Sequence, residues 1–232
     1  MKRIINIFVC ASMLFGCNKV VEEPLGKEVF SKQFISSFID ANTISMVQCP
    51  MEGNAFLIEA SPEDDLPRYK YLTLCHEVGD MSYDRMVPQD KNYTACYANK
   101  FTSIDITSTA DFGAIKAGES LADIVMFRGA TAKPYIDNGY EFPDANEYHT
   151  AYKEIKKEFG DLHWYFLKEF RNGFYPICKR VSELTPEQLK LLSCNCMSIR
   201  FMEVPEIKEH TMTITFHTEN KEVECQFDVV FP

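Results

Sequence analysis

The chain has 232 residues, a formal charge of −10, and is 46% hydrophobic and 13% aromatic. That apolar content can fill a core and excludes a disordered chain. No stretch gathers a basic cluster, which argues against nucleic acid as a partner.

Lys2 and Arg3 precede an apolar run, Ile4 to Phe15, interrupted only by Asn6 and Ser12. Twelve helical residues reach ~18 Å, short of the ~30 Å core of a bilayer. The run therefore reads as the apolar region of a secretory signal rather than a membrane span. It ends in Leu14-Phe15-Gly16-Cys17. This tetrapeptide resembles the lipobox of bacterial lipoproteins, although Phe15 is bulkier than the pattern's usual residue. The resemblance implies cleavage before Cys17, diacylation of its sulfur and acylation of its new amine. It also implies a membrane partner reached through a lipid anchor, which two acyl chains make durable. Asn18 in the next position implies passage to the outer membrane. Residues 1–16 are thus expected to form the signal peptide, 17–27 a polar tether, and 28–232 a single α+β domain. Loss of the signal, Lys2 and Arg3 included, leaves 216 residues and moves the formal charge to −12.

Beyond the tether, Phe30, Phe34, Ile35 and Phe38 recur at helical spacing and predict a short helix over 27–40. Ala55–Glu59 and Tyr69–Cys75 read as strands, separated by turn material at Ser61–Asp65. Phe101–Thr107 alternates, with Ile104 and Ile106 on one side; Asp123–Phe127 is a further candidate strand. Asp144, with Glu147 three residues on, resembles a helix N-cap. Tyr148, Ala151, Tyr152, Ile155 and Phe159 then follow one helical face to Gly160. Leu162–Phe170 continues as a second helix ending near Asn172-Gly173. Thr185-Pro186-Glu187-Gln188 carries the signature of a third helix start. The helical block spans about 144–193. Ser198–Val204 leads to a hairpin of Thr211–His217 and Glu222–Phe231, with Met212, Ile214 and Phe216 on one face of its first strand. Val223, Cys225, Phe227 and Val229 share one face of the second. Glu219-Asn220-Lys221 makes the turn, Asn being able to adopt positive φ. The fold class expected is α+β: an antiparallel, sandwich-like, β-rich domain with an inserted helical block and a C-terminal hairpin. In layout, this is similar to the small outer-membrane lipoproteins of Bacteroidetes. That resemblance carries no catalytic residues with it.

Seven cysteines remain besides Cys10 and Cys17: Cys49, Cys75, Cys96, Cys178, Cys194, Cys196 and Cys225. An oxidising compartment permits disulfides, yet an odd number cannot pair completely, and buried thiols are an equal expectation. Cys194-Asn195-Cys196 with His210 has the chemistry of half a metal site, but no second pair follows at the required spacing. The five histidines form no metal-binding pattern, and Cys75-His76 point apart in a strand. Glu63-Asp64-Asp65 lacks the alternation of a calcium loop. No nucleophile elbow, phosphate loop or dinucleotide fingerprint is present, so no catalytic residue and no cofactor are expected. Aromatics crowd one helix; Trp164, Tyr165 and Tyr175 are candidates for a glycan or peptide platform, with core packing the commoner role of such a cluster. Two function classes follow: a non-catalytic envelope module binding a glycan, peptide or envelope protein or serving a structural role, or a periplasmic or surface hydrolase whose carboxylates are dispersed in sequence.

Overall fold

A computed structural model describes residues 28–49, 53–62, 66–88, 94–142 and 163–232, with six helical positions between 149 and 157. The signal, Cys17, the tether, the Asp144 cap and Glu63-Asp64-Asp65 lie outside the described residues. In chain order the strands are β1 (Glu28–Ser31), β2 (Ser37–Ile39), β3 (Ala41–Gln48), β4 (Ala55–Pro62), β5 (Arg85–Pro88), β6 (Ala95–Tyr97), β7 (Phe101–Ser108), β8 (Val125–Thr131), β9 (Tyr175–Arg180), β10 (Ser198–Phe201), β11 (Glu209–Thr218) and β12 (Glu222–Val230). The helices are α1 (Arg68–Val78), α2 (Lys133–Asp137) and α3 (His163–Arg171).

Two antiparallel sheets dominate, ordered β3-β4-β10-β8-β9 and β12-β11-β7. The fold is a β-rich α+β arrangement, as the strand patterns indicate. The predicted terminal hairpin forms with Phe216 opposite Val223 and Ile214 opposite Cys225. Met212, Ile214 and Phe216 are buried while their neighbours in β11 face outward. Across the two sheets Phe56 meets Phe227, ring centroids 5.3 Å apart, so the inner faces share one apolar core. In β7, Ile104 and Ile106 share the side that faces that core, and Phe101, which strict alternation puts on the other side, joins them. A register shift at His217/Thr218 explains it: the extra residue reverses the alternation. Asn220 does not adopt positive φ; the turn is tied instead by Thr218 Oγ1, which accepts the Asn220 and Lys221 N–H groups.

Four further sequence expectations are overturned. Tyr69–Cys75 is part of helix α1, not a strand. Pro67 precedes it, Gly79 closes it at φ +81°, and Tyr71, Leu74, Cys75 and Val78 turn one face inward. The burial period is that of a helix, which the aromatic and β-branched content concealed. Residues 27–40 form no helix in their described part but contribute β1 and β2. Phe34, Ile35 and Phe38 are buried as their spacing implied. Their backbone, however, bonds to distant partners: the Phe34 and Ile35 N–H groups donate to Asp80, and the Ser36 N–H to the Thr94 carbonyl. Thr185-Pro186-Glu187-Gln188 forms its reciprocal cap, Thr185 N–H to Gln188 Oε1 at 3.2 Å and Gln188 N–H to Thr185 Oγ1 at 3.4 Å, without a helix following. Thr131 Oγ1 donates to the Lys190 carbonyl at 2.5 Å and Leu191 takes φ +52°, which redirects the chain after one turn. The helical block is also interrupted by β9, which pairs with β8. Helix α3 ends where predicted. Gly173 has φ +97°, and a Cβ there would sit 2.8 Å from the Tyr135 ring.

Candidate functional site

A shallow trough of about 590 Å³ lies between α2, the start of β9 and the capped turn at 185–188. Its walls follow from local chemistry. Thr131 Oγ1 accepts the Lys133 N–H at 3.1 Å, starting α2 directly after β8, and Pro134 suits its first turn. The Thr131–Lys190 bond draws the capped turn against that helix. Tyr175 enters on β9 opposite Thr131 and stacks edge-on with Phe170, centroids 6.2 Å apart. Around Tyr175 stand Lys133, Asp137, Asn138, Glu187 and Gln188. Lys133 is ion-paired with Asp137, and Lys190 with Glu187 at 2.6 Å. Gln188 is braced through its Oε1 by the cap, and the Asn138 Nδ2 donates to the Glu141 carbonyl. An aromatic ring flanked by amides and ion-paired carboxylates in an open trough suits a polar ligand with one apolar face, such as a glycan or an extended peptide.

Of the proposed aromatic platform, Tyr175 is the member seen in the trough. Trp164 and Tyr165 lie on the first turn of α3, with side chains outside the described residues. Phe166, Phe170 and Phe174 of the same aromatic run are buried core. Asp137, Asn138 and Glu187 went unrecognised in the sequence; the only signal there was the capping box, which marked the turn but not the trough.

Among the described residues two carboxylates are buried elsewhere, and neither lines the trough. Asp80 accepts the Phe34 N–H at 2.7 Å, the Ile35 N–H at 2.8 Å and the Tyr140 O–H at 3.0 Å. Glu169 accepts the Ser193 O–H at 2.9 Å. Burial pushes both carboxyls above their ordinary range, and the bonds they accept pull against it.

Among the described residues no disulfide joins the seven cysteines. Cys49, Cys75, Cys96 and Cys196 are buried; Cys178, Cys194 and Cys225 are half-buried. Burial pushes the Cys75 thiol up to about 11 and raises Cys96, Cys194, Cys196 and Cys225 as well, which favours the protonated thiols. Cys194 and Cys196 do not share a strand face. Cys194 packs against the core between the sheets and Cys196 belongs to the core beneath the helices. His210 packs on Phe112 and Phe231, and its ring nitrogens are engaged away from both cysteines: Nδ1 pairs with Ser108 Oγ at 2.7 Å and Nε2 with the Ile207 carbonyl at 2.8 Å. No group of three metal-ligating side chains comes together among the described residues. Cys75 and His76 diverge from a helix rather than a strand, Cys75 inward and His76 outward.

No protein-family model, curated protein or solved structure matches the chain.

Proposed function

We propose that the chain is an exported lipoprotein, anchored to the bacterial outer membrane through lipid on Cys17, whose folded domain is a non-catalytic binding module. The observation that carries the anchor is Leu14-Phe15-Gly16-Cys17 closing a twelve-residue apolar run. Binding at the Tyr175 trough, to a glycan, a peptide or a segment of an envelope protein, is supported by its open shape and mixed aromatic and amide lining. A hydrolase with dispersed carboxylates has less to draw on. Asp137 and Glu187 are solvent-facing and ion-paired with lysines, whereas a general acid is held protonated in a dry pocket. Asp80 and Glu169 are dry but committed to internal bonds.

Cys17→Ser tests the anchor: labelling with radioactive palmitate is lost and the product leaves the membrane fraction. Retained label and unchanged fractionation sink the assignment. The trough is tested by screening the soluble chain 18–232 on arrays of glycans and cell-wall peptides, where Tyr175→Ala abolishes any specific signal. A signal insensitive to Tyr175→Ala places binding elsewhere. Turnover of an arrayed glycan that is lost in both Asp137→Asn and Glu187→Gln instead makes the protein a hydrolase.

A further inference from the structure

β1 and β5 form a two-stranded ribbon that joins no other strand among the described residues. Its register sets Phe30 opposite Met86 and Ser31 opposite Arg85, so these pairs occupy opposite faces. The Arg85 face is the one held to the body. Its guanidinium donates to Tyr135 Oη at 3.1 Å and to the Tyr140 carbonyl at 2.7 Å, and lies 5.1 Å from the centre of the Tyr83 ring. The Tyr83 N–H donates to the Lys32 carbonyl, and Asp80 fixes the chain just beyond β1. Phe30 and Met86 are therefore turned outward by a rigid base rather than by fraying. They are 60% and 55% exposed, and Met81, beside Gln33, is 41% exposed. The exposed Lys32 follows directly in sequence. An isolated ribbon gains nothing by wetting such side chains.

We infer that the Phe30–Met86 face of this ribbon docks into the lipid surface to which the protein is anchored. The inference rests on the Cys17 anchor proposed above. Ten residues separate Cys17 from Glu28, so β1 starts within about 40 Å of the lipidated residue even when the tether is fully extended. The ribbon is thus the first described element reached from the membrane, held there at high effective concentration. An aromatic ring, two methionines and a neighbouring lysine match the chemistry of an interfacial contact. Docking would fix how the trough is presented, because α2, which lines the trough, carries the Tyr135 that receives Arg85.

The experiment uses the lipidated full chain with Phe30→Trp in a Trp164→Phe background, reconstituted in phosphatidylethanolamine–phosphatidylglycerol vesicles. Emission of the new indole is expected to shift to the blue and to fall at least twofold when the acyl chains are brominated. Met86→Ser weakens both effects. Lipid-labelled protein that floats with the vesicles but shows no bromine quenching overturns the docking and leaves the anchor intact. Protein without lipid label that fails to float overturns both. A blue shift without bromine quenching that grows with protein density means a second copy covers this face, and overturns the lipid assignment.

Discussion

The core between the two large sheets and the core beneath α1, α2 and α3 are built by different rules. In the first, apolar side chains alternate along long strands, and neighbours such as Ile104 and Phe216 or Met212 and Phe227 stand opposite one another in register. Burial there is a property of each strand taken alone. In the second, Phe34, Ile35, Tyr135, Phe170 and Phe174 come from short elements far apart in sequence. What aligns them is polar: Asp80 receives two backbone N–H groups from a segment 45 residues away, and Glu169 reaches Ser193. The sandwich core is thus specified by alternation within long strands, and the helical core by short helix faces and segments that a few buried acceptors bring together.

The first way to break this comparison is a charge inside the sandwich. Phe216 is fully buried and packs on Phe101 at 5.1 Å, so Phe216→Asp is expected to cost more than about 4 kcal/mol and abolish folding. Phe227 is only half-buried, so Phe227→Asp should cost distinctly less. Urea denaturation of both variants checks the order. Equal effects would mean that β12 is as deeply enclosed as β11.

The matching test in the helical core is Asp80. Its removal as Asp80→Ala orphans the buried Phe34 and Ile35 N–H groups, at about 1–3 kcal/mol each. Asp80→Asn should recover little, because Oδ1 and Oδ2 each accept a backbone N–H and an amide must present its own NH₂ to one of them. If Asp80→Asn is as stable as the native protein, the carboxylate does not organise this core.

These differences also explain what was legible in the sequence. The hairpin of Met212, Ile214 and Phe216 was readable because alternation is local, and the Gly173 stop because a glycine's freedom is local. Helix α1 was misread because Tyr69, Tyr71 and Thr73 favour strands in isolation, while its burial follows the helical spacing of Tyr71, Leu74, Cys75 and Val78. The segment 27–40 was misread because its backbone bonds are supplied by Asp80 and Thr94, which nothing nearby announces. Tyr175 was picked out as a platform residue from its aromatic neighbourhood. The rest of the trough depends on β8 pairing with β9 and on Thr131 reaching Lys190, both long-range events.

A smaller effect distinguishes the two cores by pH. Glu169 is buried and its folded pKa is raised. The stability linked to it is therefore fully present below the unfolded value of about 4.3. It is lost as pH rises through the folded pKa. Glu169→Gln, which cannot ionise and keeps an oxygen for Ser193, should gain stability relative to the native protein as pH rises from the unfolded value of about 4.3 through the raised folded value. Denaturation curves across that window give the difference directly. A constant difference would show that Glu169 titrates in the folded protein as it does in the unfolded chain.

The smallest expected effect lies on the outer face of the sandwich and asks whether alternation there is as strict as the buried face implies. Thr215 sits between Asp105 on β7 and Glu224 on β12, directly opposite both. Asp105 is already engaged, accepting the Ser120 O–H at 2.5 Å and the Ile106 N–H at 2.8 Å. A third carboxylate at this position meets two like charges across the strands, and a cation meets two partners. Cross-strand pairs of this kind contribute about 0.2–1 kcal/mol. Thr215→Lys should therefore stabilise the domain by a few tenths of a kcal/mol or more, and Thr215→Asp should cost a similar amount. Both effects should shrink in about 1 M salt, which reduces the Debye length to ~3 Å and screens exposed charges. A cost for Thr215→Asp approaching that of Phe216→Asp, and insensitive to salt, would mean that position 215 faces the core and that the strand's two faces have been exchanged.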